Sequence, residues 1–112
     1  MPKYMISMRY SPGSWARMIT SHGDRTKALR RMMEALGGSL ESMYWQFGTE
    51  DSVAVGQLPD SVSASALHAA VIKTGAFMRV ETHELLTQEQ LLQCLDLARD
   101  TAEVFEVPGQ QG

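Results

Sequence analysis

Apolar residues in this chain follow two different spacings, and the order in which the two spacings follow one another constrains the fold more than any other feature. Apolar residues recur at every second position from Tyr4 to Tyr10, which is the period of a half-buried strand. Between Asp24 and Gly37 they recur three and four residues apart instead, the spacing of one helix face. Continued along the chain, the two patterns predict strands at 4–10, 40–47, 53–58 and 77–86, and further helices at 12–21, 60–74 and 88–101.

Residues suited to helix starts stand where the spacing changes. Ser11, Asp24 and Asp60 can each accept a hydrogen bond from a free backbone N–H of the first turn. Thr87 and Gln90 have the spacing of a capping box, which begins an additional amphipathic helix at the end of the chain. The order strand, helix, strand, strand, helix, strand therefore predicts an α+β protein of the ferredoxin-like βαββαβ type with an extra C-terminal helix.

The helices of such a fold cover only one face of its sheet. Four strands of about six residues leave a bare face of about 400 Å², which is near the limit for an apolar patch on a monomer. If it were wholly apolar, its burial would contribute up to about 10 kcal/mol per protomer, comparable with the estimated cost of association. We therefore predict a homodimer that closes sheet on sheet, with one domain at residues 1–107 and a flexible tail at 108–112.

Composition excludes several classes of protein. Ten Lys and Arg residues against 13 Asp and Glu give a net charge of −3, which argues against a dedicated nucleic-acid-binding protein. No apolar run approaches the length of a membrane-spanning helix, so we expect no membrane partner. Cys94 is the only cysteine, so no intramolecular disulfide can form, and a cytoplasmic location fits best.

The chain also lacks the common cofactor motifs. It has no glycine-rich phosphate loop, no Gly-x-Ser-x-Gly elbow and no pair of cysteines. His22, His68 and His83 do not have the spacing of metal ligands. We therefore predict neither a metal nor another cofactor, and whether the protein is an enzyme stays open.

Three polar residues on the fourth strand are the main candidates for a binding site. Phe77, Arg79, Glu81, His83 and Leu85 alternate with residues of the other face such as Val80 and Thr82, so these five share one face of the strand. The Val80 side is the more apolar and is expected to meet the helices, which places the three polar residues in the cavity between two sheets. There they could act as acid, base or anion clamp, or only as a network of salt bridges between strands or subunits.

Other side chains admit two interpretations each. Trp45 shares one face of the second strand with Met43 and Phe47, and that face either lines the cavity or packs under the helices. Cys94 is expected to be a buried small hydrophobic residue rather than a nucleophile. The basic run in 25–31 could hold an anionic partner, although a solvated face paired with Glu34 is the simpler interpretation.

Five segments of the chain resemble a known family, the GYD domain family, over roughly residues 1–100. These segments are Pro2-Lys3-Tyr4-Met5-Ile6, Ala35-Leu36-Gly37-Gly38, Gly48 to Asp51, Val53-Ala54-Val55 with Leu58-Pro59-Asp60, and Arg79-Val80-Glu81-Thr82. The Gly-Tyr-Asp triplet of that family corresponds to Gly48, Glu50 and Asp51, so a role of its tyrosine is not carried over.

The resemblance implies a dimeric alpha-beta barrel, in which two ferredoxin-like sheets face one another. We accordingly expect a small homodimeric protein that binds a small organic ligand between its sheets, with Arg79, Glu81, His83 and Trp45 as the candidate cavity residues. A catalytic version would be a cofactor-independent oxygenase or isomerase, by analogy of fold alone. The alternative is a non-catalytic regulatory or interaction module without a ligand.

Overall fold

Four strands and four helices follow one another in a computed structural model that describes residues 1–109. The elements are β1 (Lys3–Tyr10), α1 (Pro12–Thr20), α2 (Arg25–Ala35), β2 (Ser39–Trp45), β3 (Ser52–Gln57), α3 (Ser61–Lys73), β4 (Phe77–Leu85) and α4 (Gln88–Ala102). Residues 110–112, the end of the predicted tail, lie outside the described residues. No helix within residues 1–109 is both long enough and apolar enough to cross a membrane.

The strands form one sheet in the order β2-β3-β1-β4, in which every neighbouring pair is antiparallel. The first and last strands of the pattern thus lie beside each other, and α1–α2 and α3 provide the two crossover connections. This is the ferredoxin-like arrangement, so the predicted fold class is confirmed.

The predicted helix starts are also confirmed. The side chains of Ser11, Asp24 and Asp60 accept hydrogen bonds from the backbone N–H groups three residues later. Thr87 and Gln90 form the complete capping box at the start of α4. These bonds fix where each helix begins relative to the preceding strand or loop.

The helices α2 and α3 pack on one face of the sheet, which we call the covered face. Its fully buried side chains include Ile6 on β1, Met33 on α2 and Leu67 on α3. Gly56 on β3 lies directly beneath Met33, and a Cβ atom there would collide with that side chain and with the Ser39 carbonyl oxygen. A glycine at this position therefore lets α2 approach the sheet closely.

The opposite face of the sheet carries no helix from residues 1–109, and we call it the open face. Its side chains alternate with those of the covered face because successive residues of a strand point to opposite sides. It comprises Lys3, Met5, Ser7 and Arg9 on β1, Ser39, Ser42 and Tyr44 on β2, Val53, Val55 and Gln57 on β3, and Arg79, Glu81, His83 and Leu85 on β4.

Two expectations about individual residues are wrong. Phe77 lies on the covered face rather than beside Arg79, because the pairing of β1 with β4 shifts by one residue and leaves Met78 without a partner on β1. Cys94 is exposed rather than buried, because α4 has no buried residue at all.

Candidate functional site

Arg79, Glu81 and His83 lie together on the open face, as their alternation along β4 predicts. One carboxylate oxygen of Glu81 is 3.9 Å from Nε of Arg79, and the other is 3.3 Å from Nε2 of His83. All three side chains are about half exposed, so water solvates the cluster in a single chain. A carboxylate held between a guanidinium and an imidazole can accept or pass on a proton, or help to orient a polar ligand.

Glu50, in the loop between β2 and β3, extends this cluster. A terminal nitrogen of Arg79 donates to Oε1 of Glu50 and, at 3.0 Å, to the carbonyl oxygen of Thr49. The second carboxylate oxygen of Glu50 is buried and has no hydrogen-bond partner among the described residues. The sequence analysis noted Glu50 only because the family triplet has a tyrosine where this chain has Glu50. That difference was the signal available in the sequence that Glu50 makes contacts of its own.

Arg9 brings a second guanidinium to the same end of the open face. It lies directly opposite Arg79 in the β1–β4 pairing. Its Nη1 donates to the carbonyl oxygens of Thr49 at 2.8 Å and Gly48 at 3.4 Å, and it forms no ion pair within residues 1–109. These hydrogen bonds from Arg9 hold the β2–β3 loop over this end of the sheet. Because carbonyl oxygens are neutral, the positive charge of Arg9 has no counterion among the described residues.

The other end of the open face carries a separate polar group. Glu41 accepts a hydrogen bond from Nε2 of Gln57 at 3.0 Å and lies 3.1 Å from Nζ of Lys3. The hydrogen bond from Gln57, followed by that from Lys3, lowers the pKa of Glu41 below its usual range.

Between these polar ends lies an apolar band formed by Met5, Val53 and Val55, which are all half-buried. Tyr44 borders the band on β2 and exposes 71% of its surface. The open face thus combines an apolar centre with hydrogen-bonding groups on its margins, the usual composition of a wall of a small-molecule site.

Trp45 is not brought to this cluster. It pairs with Ser52, which is completely buried on the covered face, and its indole N–H donates to the Tyr10 hydroxyl at 3.2 Å. Tyr10 in turn stacks on Phe77 with ring centroids 5.3 Å apart. Of the two interpretations of the Trp45 face, the structure therefore favours packing on the helix side.

Asp51, at the end of the loop between β2 and β3, has a clear structural role. Its carboxylate accepts a hydrogen bond of 2.9 Å from the backbone N–H of Tyr10, and its own N–H donates to the carbonyl of Met8 at 2.9 Å. Since Asp51 is buried, these bonds hold the end of β1 against the β2–β3 loop. The same loop positions Glu50 over Arg79.

The remaining histidines lie elsewhere. His22 is exposed between α1 and α2, and His68 is half-buried beside a cavity of about 470 Å³ between α3 and β4. Burial and the adjacent charge of Glu84 raise the pKa of Tyr4, which lines the same cavity. No three metal-ligating side chains come together within the described chain.

Of two comparisons with known proteins, one identifies the family of the chain. No curated protein matches it significantly. The family model of the GYD domain matches residues 4–95, which is most of the chain and includes the whole sheet apart from Lys3. The chain therefore belongs to the GYD domain family.

Proposed function

We propose that this protein is a homodimer that binds a small, partly apolar organic molecule between the open faces of its two subunits. The observation that supports this proposal is the open face itself, where the band of Met5, Val53 and Val55 is bordered by the polar cluster around Arg79. No helix in the described part of the chain covers that band, and a second sheet supplies a cover of matching size and shape.

The polar cluster supports a ligand with one hydrogen-bonding group at the edge of an apolar body. Arg9 and Arg79 provide donors, and the carboxylate of Glu50 holds the guanidinium of Arg79 in place. Enclosure by a second sheet excludes water and strengthens every interaction of these groups with a ligand. The ligand's apolar body would lie on the central band, and its polar group would meet Arg79, Glu81 and His83.

Ligand binding is tested with anilinonaphthalene sulfonate, an aromatic anion whose fluorescence rises in an apolar site. We expect Arg79→Ala or His83→Ala to weaken its binding about tenfold while the dimer persists, because a charge-assisted hydrogen bond is lost. Arg99→Ala, which removes an exposed guanidinium on α4, is the matched control and leaves the affinity unchanged. Equal affinities in all four proteins would refute the proposed site.

Dimer formation is tested separately by sedimentation equilibrium. Tyr44→Lys introduces a charge on the open face at an exposed position, so it weakens association without disturbing the covered core. A wild-type chain that sediments as a monomer at micromolar concentration would contradict the proposal.

The alternative is a regulatory or interaction module in which the same charges only fix the alignment of two subunits. The double variant Arg79→Ala with Glu81→Ala separates the two functions. In the alternative it lowers the stability of the dimer, and the wild-type protein binds no probe. In the proposed function it leaves the dimer in place and removes probe binding.

A further inference from the structure

The helices that cover the sheet enclose a cavity at one end of it, which we call the inner cavity. The helix α3 packs over β4 and α2 packs over β2, and these two strands form the edges of the sheet. Between the two helices, at the end of β1, the inner cavity has a volume of about 330 Å³. Met8 and Tyr10 line it from the sheet, Leu29 from α2 and Val71 from α3, and all four are buried. The inner cavity therefore lies in the core layer between sheet and helices.

The lining of the inner cavity is almost wholly apolar. Apart from Arg25, Thr74 and the hydroxyl of Tyr10, its lining side chains carry no polar group that bonds through hydrogen. Three of the lining residues are methionines, on β1, α2 and β2, and their unbranched side chains adapt to what they contact. A water molecule occupies about 30 Å³ of liquid, so the volume corresponds to about ten non-hydrogen atoms. The inner cavity can therefore hold the apolar body of a small organic molecule.

A second cavity, of about 540 Å³, lies beside α1 and the loop that follows it, and we call it the outer cavity. The two cavities have three lining residues in common, namely Tyr10, Arg25 and Ala76, so they adjoin one another there. Ser14 and Arg17 of α1 also line the outer cavity. An apolar space thus adjoins one that carries polar and charged side chains.

Two guanidinium groups without a counterion lie at this junction. Arg25 lines both cavities and Arg17 lines the outer one, and neither forms an ion pair within residues 1–109. No acidic residue of the described chain lines either cavity. The neighbouring Asp24 caps α2, where its carboxylate accepts a hydrogen bond of 2.9 Å from the backbone N–H of Lys27. The entrance to the inner cavity is therefore positively charged.

Hydrogen bonds within the fold position the donors at the junction. Ser14, which is buried, donates to the carbonyl oxygen of Ala76 at 2.7 Å and accepts from Nη2 of Arg17 at 3.3 Å. The buried hydroxyl of Tyr10 accepts from the indole N–H of Trp45, and its own proton has no acceptor within residues 1–109. The junction thus offers charged donors and one neutral donor to an oxygen-bearing group.

We propose that the two cavities form a second binding site, separate from the open face, for a small carboxylic acid with an apolar body. The apolar body occupies the inner cavity, and the carboxylate binds Arg17 and Arg25 at the junction through charge-assisted hydrogen bonds. A neutral ligand would leave both guanidinium groups without a counterion. Because the site lies on the covered face, it does not depend on pairing between the open faces.

The charged end of the site is tested with decanoate by isothermal titration calorimetry of the full chain. Arg17→Ala and Arg25→Ala should each weaken decanoate binding about tenfold, because a charge-assisted hydrogen bond is lost. Arg31→Ala is the matched control, since Arg31 is exposed on α2 and lines neither cavity. No binding of millimolar decanoate by the wild type, or an equal affinity of the Arg25 and Arg31 variants, overturns the proposal.

The apolar end is tested by the length of the ligand and by filling the inner cavity. Octanoate should bind about tenfold more weakly than decanoate, because two fewer methylene groups leave water. Ala28→Phe places an aromatic ring in the lining of the inner cavity and should weaken decanoate binding at least about tenfold. Ala35→Phe is the matched control, two turns further along α2 and outside both linings.

Both alanines are exposed, so both variants should fold, and far-ultraviolet circular dichroism checks this. Equal affinities of Ala28→Phe and Ala35→Phe for decanoate would overturn the inner cavity as the site. Equal affinities of the wild type for octanoate and decanoate would also overturn it, since the apolar body would then remain in water.

Tryptophan fluorescence gives an independent measure of where decanoate binds. Both tryptophans of the chain contact Tyr10, which lines both cavities. The ring of Trp15 lies edge-on to that of Tyr10 at 5.3 Å, and Trp45 donates to the Tyr10 hydroxyl. Decanoate should therefore change the fluorescence with the same midpoint as the calorimetric titration. Binding without any change in fluorescence would place decanoate elsewhere and overturn the proposal.

The variant Arg79→Ala distinguishes this site from the one proposed on the open face. In the proposed second site it leaves decanoate binding unchanged. If Arg79→Ala weakens decanoate binding and Ala28→Phe does not, the acid binds on the open face and the second site is refuted. If decanoate binds as expected to a chain that remains monomeric, the second site stands and the proposed homodimer is refuted.

Discussion

The two faces of the sheet are built from the same strands, yet only one of them is completed by the chain itself. On β1, Ile6 and Met8 point to the covered face and are almost completely buried, whereas the neighbouring Met5 and Arg9 point to the open face and are only partly shielded. The covered face is apolar and closed by α2 and α3. The open face has an apolar centre and charged margins, the pattern of a surface completed by something outside the subunit.

If the open faces pair as proposed, this difference separates residues that determine the fold from residues that determine association and binding. Substitutions on the covered face should act on the stability of the single chain. Those on the open face should act mainly when a partner or ligand is present.

The largest difference in the free energy of unfolding is expected between the variants Ile6→Ala and Val55→Ala. Ile6 is completely buried, so its truncation leaves a cavity and lowers the free energy of unfolding by about 2 to 5 kcal/mol. Val55 is half-buried in the open face, so in a dilute monomer its truncation costs only about 1 kcal/mol. Urea unfolding at low protein concentration measures both values.

Repeating the measurement at high concentration sharpens the comparison. If the open faces pair, the loss caused by Val55→Ala grows with concentration, whereas that caused by Ile6→Ala stays constant. Equal losses for both variants at low concentration would mean that the two faces are covered alike.

The covered face explains why the fold could be predicted from sequence. The alternation from Tyr4 to Tyr10 and the caps at Asp24, Asp60 and Thr87 are local signals, and the structure uses each of them as predicted. Local signals of this kind agree with the tertiary packing wherever the chain completes its own core.

The candidate site was less predictable because it depends on pairing between distant segments. The face shared by Arg79, Glu81 and His83 followed from alternation, but the shift that moves Phe77 to the covered face arises from the pairing of β4 with β1. Glu50 reaches Arg79 through the fold of a loop 29 residues away in sequence. The side occupied by Trp45 also required its pairing with Ser52.

A second contrast lies within one loop, between the adjacent acids Asp51 and Glu50. Asp51→Ala leaves the backbone N–H of Tyr10 without its buried partner, so it should lower stability by about 1 to 3 kcal/mol. Glu50→Ala removes an ion pair with a partly exposed arginine, and a loss below about 1 kcal/mol is expected. Thermal unfolding of the two variants gives the comparison.

The conservative variant Asp51→Asn keeps an oxygen that can accept from Tyr10, so it should recover part of the stability. If Glu50→Ala proved the more destabilising of the two, the division between an Asp51 that stabilises the fold and a Glu50 that only positions Arg79 would be wrong.

The smallest expected effect concerns the open face in acid. The pKa of Glu41 is lowered in the folded chain, so the folded state stabilises the charged carboxylate more than the unfolded state does. The stability that it contributes is present above its ordinary pKa of 4.5 and is lost as the pH falls through the lower value of the folded state. Glu41→Gln should therefore reduce the slope of stability against pH in this acid range and leave the slope near pH 7 unchanged. Glu34→Gln, which changes an exposed carboxylate on α2, is the control. If stability fell with pH as steeply in Glu41→Gln as in the wild type, the Lys3–Glu41–Gln57 group would not stabilise its end of the open face. The hydrogen bonds to Glu41 would then be too weak to order this end of the face in a single chain.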